Sequence, residues 1–123
     1  MQYSRNEIDF TFLYLGYTDM AGHNHGWMSE QYMAAMENSF SNITKLYNAL
    51  PDDYVIIVTA DHGGHDRTHG TSLPEDMLIP FVVLNKNIND INLDDVNLKD
   101  IAPTVTKLMG IEPNEEWEGK SMI

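Results

Sequence analysis

The chain's five histidines fall in two short segments, residues 18–28 and 61–74. The first reads Tyr17-Thr18-Asp19-Met20-Ala21-Gly22-His23-Asn24-His25-Gly26, and the second Thr59-Ala60-Asp61-His62-Gly63-Gly64-His65-Asp66-Arg67-Thr68-His69-Gly70-Thr71. The chain has no cysteine. Any metal must therefore be held by imidazole and carboxylate groups, the ligands that suit Zn²⁺ or Mn²⁺ when sulfur is absent. Asp19, His23 and His25 are the candidates from the first segment. Asp61, His62, His65, Asp66 and His69 are those from the second. Taken singly, a histidine in a glycine-rich loop is a solvated turn residue and an aspartate is an Asx-turn or N-cap group. Clustering in two segments is what turns these residues into a candidate metal site. His25 and His65 are its weaker members, and Arg67 is either a phosphate contact or an exposed loop cation.

Positioning these groups needs a frame. Residues 8–17 are β-branched, aromatic and almost continuously apolar, which predicts a strand buried on both faces. Residues 18–28 read as a loop. Ser29 is a good N-cap, and Met33, Met36, Phe40, Ile43, Tyr47 and Leu50 recur every three or four residues, predicting one amphipathic helix ended by Pro51. Residues 54–60 predict a second buried strand, and residues 61–74 a polar loop. Residues 78–84 form a third apolar run, whose Pro80 belongs at its start or at an edge. Residues 85–97 favour turns, and residues 100–109 a last helix with Pro103 in its first turn and Gly110 just beyond its end. The tail to Ile123 is expected to be irregular. Strand, helix and strand over residues 8–60 would make a parallel βαβ unit, with both histidine segments at the carboxyl ends of its strands, where open α/β sheets bind ligands.

A chain of 123 residues suits one domain, and an apolar content of 42% is ordinary for a folded one. The net charge of −12 repels nucleic acid and anionic membranes, so neither is expected as a partner. If the substrate carries phosphate, bound cations must supply the missing positive charge. The N-terminal residues are polar and mixed in charge, unlike a signal peptide, and no apolar run approaches the roughly 20 residues that span a bilayer.

The motifs carry a resemblance. Asp19-Met-Ala-Gly-His23-Asn-His-Gly26 resembles the D-x-x-G-H-x-x-G pattern of type I phosphodiesterases and nucleotide pyrophosphatases. Thr59-Ala-Asp61-His62-Gly63-Gly64 resembles the [TS]-x-D-H-G motif of the wider alkaline phosphatase superfamily. Thr68-His69-Gly70-Thr71, Leu78-Ile-Pro80-Phe81 and Asp100-Ile-Ala-Pro103-Thr104 resemble the later ligand motif, the following strand and the D-I-x-P-T helix. All five agree in order and spacing over nearly the whole chain.

The resemblance implies an α/β fold, a partial three-layer α/β/α arrangement on a mostly parallel sheet, with residues 1–123 as the carboxyl-terminal part of a larger catalytic domain. It implies two divalent ions, zinc or alternatively manganese. Residues matching Asp19, His23 and His69 hold the first, and residues matching Asp61 and His62 the second. An earlier Asp and a Ser or Thr nucleophile complete the family's site. Both precede the matched region, so no catalytic nucleophile is expected in this chain, which alone should turn over little or nothing. The implied reaction is hydrolysis of phosphodiester or pyrophosphate bonds in a small, nucleotide-like phosphate ester. The alternatives are a phosphomutase of the same superfamily or a metal-binding fragment without activity. A sheet cut from its neighbours exposes an edge, through which self-association is expected.

Overall fold

The computed structural model describes residues 9–85, 87 and 94–123. It divides into two compact units, Tyr14–Asn87 and Met1–Leu13 with Ile88–Ile123.

In the first unit, the segment expected as a loop opens with a helix, α1 (Tyr17–His25). Asp19 lies in its first turn, where a negative charge suits the helix dipole. Gly26 ends it with φ at 99°, a left-handed conformation that favours glycine, and the Gly26 N–H bonds the Gly22 carbonyl at 2.8 Å. The helix matters because four-residue spacing brings Asp19 and His23 to one face. Helix α2 (Glu30–Ala49) starts as expected at Ser29, whose hydroxyl accepts the Tyr32 N–H at 3.2 Å. α1 packs against α2, and the small residues Ala21, Gly22 and Ala35 are buried. Of the expected apolar stripe on α2, Ile43 is buried, whereas Met33 and Phe40 are exposed.

Strands β1 (Ile56–Thr59) and β2 (Phe81–Leu84) pair antiparallel, with Ile56 opposite Leu84 and Thr59 opposite Phe81. The Asn85 side chain extends the pairing by donating to the Tyr54 carbonyl at 2.8 Å. Pro80 falls just before β2, as its missing N–H requires. This sheet corrects two expectations. It has two strands rather than a mostly parallel set, so the three-layer arrangement is not seen among the described residues. Residues 10–15 form no strand, and Phe12 is 81% exposed. An extended apolar segment becomes a strand only when a neighbour takes up its backbone hydrogen bonds, and among the described residues β1 is paired to β2 alone. The βαβ unit is therefore absent among the described residues. Between the strands lies a short helix that the sequence reading missed, α3 (Pro74–Met77), with Pro74 in its first turn.

In the second unit a 3₁₀ turn (Leu98–Asp100) leads into α4 (Ile101–Leu108), close to the expected helix. Pro103 sits in its first turn, and Gly110 follows its end with φ at 68°. The tail is irregular but pinned. Asp100 accepts the Lys120 N–H at 2.8 Å, and the Thr104 hydroxyl donates to the Asp100 carbonyl at 2.6 Å while accepting the Met122 N–H at 3.1 Å. Pro103, Thr104 and Met122 are buried. The N–H groups of Lys120 and then Asn97 hold the Asp100 carboxyl below its usual range. The D-I-x-P-T motif thus works as a clamp on the tail. Most of the turn-rich residues 85–97 lie outside the described residues. Among the described residues no helix is long and apolar enough to cross a membrane.

Candidate metal centre

The carboxylate oxygen Oδ1 of Asp19 is buried and has no hydrogen-bond partner. Three imidazole Nε2 atoms surround it, from His23 at 3.5 Å, His69 at 3.7 Å and His62 at 3.8 Å. Leaving a buried carboxylate oxygen without a donor is costly. A divalent cation removes that cost. Ligand bonds of about 2.0–2.1 Å in a tetrahedron put neighbouring donor atoms roughly 3.3–3.4 Å apart, close to what is seen. Ligand atoms of Asp19, His23 and His69 all lie within 4.8 Å of one another, so these residues fit a metal ion.

Each imidazole has a reason for its orientation. His23 sits one helical turn after Asp19 and donates from Nδ1 to the Arg67 carbonyl at 3.0 Å, which leaves Nε2 with its lone pair facing Asp19. His62 donates from Nδ1 to the Gly63 carbonyl at 2.7 Å, with the same consequence for its Nε2. The His69 ring stacks on that of His62, with centroids 3.7 Å apart and planes at 15°.

Asp61 behaves differently. Its side chain is 77% exposed, and its Oδ1 lies 3.8 Å from His62 Nε2. That nitrogen is equally far from Asp19 Oδ1, so His62 stands between the two carboxylates. The structure therefore brings Asp19, His23 and His69 together with His62 beside them. It leaves Asp61 at the margin. His25 is exposed at the end of α1 and is no part of the cluster.

The second histidine segment is held by hydrogen bonds that the sequence reading did not foresee. His65 and Thr68 exchange backbone hydrogen bonds around a tight turn, with Asp66 at φ 46°. The turn's two tip carbonyls reach the first histidine segment, that of Asp66 accepting the Trp27 N–H at 2.7 Å just past α1 and that of Arg67 accepting from the His23 ring on α1. Behind the turn, the buried Asp76 carboxylate accepts from His65 Nδ1 at 2.7 Å and from the Thr71 N–H and hydroxyl at 2.8 and 2.7 Å. These bonds, that of His65 foremost, hold the Asp76 carboxyl down to about 2 and raise His65. The Gly63 and Gly64 N–H groups bond the Asp76 and Glu75 carbonyls, both at 2.8 Å. A side chain at Gly63 would collide with the Glu75 carbonyl, which is why the motif needs glycine there. His65, expected as a weaker member of the site that stands behind the ligands or in solvent, is thus a bonded part of the loop frame. A Pro at a helix start followed by two acids, as in Pro74-Glu75-Asp76, was the available signal for α3.

Comparison with known proteins adds the family. The model of the Metalloenzyme superfamily matches residues 2–113. A 2,3-bisphosphoglycerate-independent phosphoglycerate mutase of Flavobacterium johnsoniae is 33% identical over 90% of this chain and 23% of its own length. One from Francisella tularensis subsp. novicida is 34% identical over 86% of this chain and 22% of its own, and one from Mycoplasma capricolum 29% over 97% and 23%. The chain thus spans less than a quarter of the length of the curated relatives it matches. No solved structure matches it significantly. By name these relatives are mutases, so they favour the phosphomutase alternative over the diester or pyrophosphate hydrolysis that the motifs had put first.

Proposed function

This chain belongs to the Metalloenzyme superfamily, and we propose that it is the metal-holding part of a phosphoryl-transfer enzyme of the phosphomutase kind. The observation that carries this reading is the buried, unbonded Asp19 Oδ1 facing three imidazole nitrogens. Asp19, His23 and His69 hold one divalent ion. Asp61 and His62 serve a second, which an aspartate from elsewhere in the catalytic domain completes. Zinc and manganese both suit this donor set. Such ions would neutralise charge on a phosphoryl group and lower the pKa of a hydroxyl nucleophile.

The chain's own residues do the positioning. The Arg67 and Gly63 carbonyls fix the tautomers of His23 and His62, keeping Nε2 available for a ligand bond. Asp61, largely exposed, is free to turn toward a partner supplied by another segment. The substrate is a small phosphate ester. A phosphoglycerate, as in the relatives' name, is the first to test, ahead of a nucleotide-like diester. The nucleophile comes from a part of the catalytic domain outside these motifs, within a three-layer α/β/α frame in which residues 1–123 form the carboxyl-terminal part. The edges of β1 and β2 that have no partner among the described residues are where that sheet would continue, or where two copies of this chain would associate. A sedimentation profile that does not change with concentration would count against self-association.

The functional test is a chimera in which this chain replaces the matching segment of the Flavobacterium johnsoniae relative. Interconversion of phosphoglycerate isomers, followed by ³¹P NMR, is expected and should vanish with Asp19→Ala. Hydrolysis of bis(4-nitrophenyl) phosphate without interconversion would contradict the mutase reading.

A further inference from the structure

Trp27 lies near the end of the first histidine segment, just past the motif that ends at Gly26, and belongs to none of the motifs that carry the family resemblance. Its indole packs against two glycines, one from each segment. A Cβ added at Gly22 would come 2.7 Å from the indole Cδ2, and one at Gly64 would overlap it, with Cδ2 and Nε1 at 2.6 Å. Both are closer than carbon atoms can pack without displacement, so the glycines form a slot fitted to a flat ring. The backbone locks the ring's root, because the Trp27 N–H bonds the Asp66 carbonyl at 2.7 Å.

From this slot the indole meets two of the three clustered ligands. The His23 ring stands against it edge to face, with centroids 5.1 Å apart and planes at 88°. The His69 ring does the same at 5.8 Å and 68°. His23 also has its hydrogen bond to Arg67. Among the described residues no hydrogen bond orients the His69 ring, which leaves ring contacts with His62, His23 and Trp27 to set its direction. Edge-to-face packing on a rigid, two-χ side chain restricts tilt as well as distance.

We propose that Trp27 is a positioning residue for the metal centre, a wall held by Gly22 and Gly64 that sets the ring orientations of His23 and His69 before an ion arrives. The proposal rests on the metal-site reading above. Metal ligands left without their orienting partners typically lose about 10–100-fold in affinity, and the same range is expected here.

The test uses Co²⁺, whose visible spectrum reports ligand geometry, with Kd measured by calorimetry on the unaltered chain, Trp27→Ala and Trp27→Phe. Trp27→Ala is expected to weaken binding at least about 10-fold and to shift the visible bands of the bound ion, while Trp27→Phe restores most of the affinity. Loss of folding alone would lower the fraction of protein that binds without changing the spectrum of what is bound. A third arm needs no change at Trp27. In a Trp117→Phe background its fluorescence is the chain's only tryptophan signal, and it should follow the Co²⁺ isotherm with the calorimetric midpoint. Equal affinity and identical spectra for the unaltered chain and Trp27→Ala, or a Trp27 signal unmoved at saturation, overturns the positioning role and leaves the metal site standing. Absence of Co²⁺ and Zn²⁺ binding by the unaltered chain overturns both.

Discussion

Residues 61–78 and residues 10–15 are both non-repetitive for most of their length, yet they are held very differently. In the first, Gly63, Gly64, His65, Thr68, Thr71, Asp76, Met77 and Leu78 all donate hydrogen bonds within the segment, and the Asp76 carboxylate is almost wholly buried. In the second, Phe10, Phe12, Leu13, Tyr14 and Leu15 are all exposed and no secondary structure forms. The contrast separates two kinds of information. A polar loop can be closed by short-range bonds that its own residues supply. An apolar segment needs a surface to cover it. The uncovered Met33 and Phe40 on α2 belong with the second kind, as the proposal of a partial catalytic domain requires.

The sharpest way to break the contrast is Asp76→Ala. It strips the bonds from His65 and from both Thr71 donors, leaving polar groups unpaired, and should lower the melting temperature more than any change in residues 10–15. A melting temperature unchanged by Asp76→Ala would show that the loop is held by something else. A smaller effect comes from pH in metal-free protein. The Asp76 contribution is present above the ordinary carboxylate pKa and is lost as pH falls through about 2. The His65 contribution is present below the ordinary imidazole pKa and is lost as pH rises through its raised value. The stability gap between the unaltered chain and Asp76→Asn, read from urea midpoints, should therefore be wider at about pH 5.5 than at about pH 9. Next is Ser29→Ala, which removes the cap of α2 and should cost about 1 kcal/mol in urea unfolding. Smallest is Phe12→Ser, expected to change stability by less than about 0.5 kcal/mol because Phe12 touches so little. A large loss at Phe12 would mean that the apolar segment is packed in solution.

What the sequence disclosed follows the same division. The Ser29 cap, the Pro80 position, the start of α4 and the grouping of Asp19, His23 and His69 are local or motif-borne, and they were legible. Helix α1 was mistaken for a loop because Gly, His and Asn fill its second half, although the four-residue step from Asp19 to His23 is a helical spacing. Strand pairing was misread because apolar content reports burial, whereas direction and partner depend on which strands are at hand. The roles of Trp27 and Asp76 stayed hidden because partners such as Asp66 and His69 for Trp27, and His65 and Thr71 for Asp76, follow no helical or strand periodicity. The nearness of His62 to Asp19 stayed hidden for the same reason, since its stacking on His69 is a tertiary contact.

That Asp19, His23 and His69 hold an ion in this chain is the proposal on which the rest depends. Calorimetry with Zn²⁺ and Mn²⁺ on the unaltered chain and on the Asp19→Ala/His69→Ala double variant tests it most directly. The unaltered chain is expected to bind one ion tightly and the variant none. Equal heats from both proteins, or no heat from either, would contradict it.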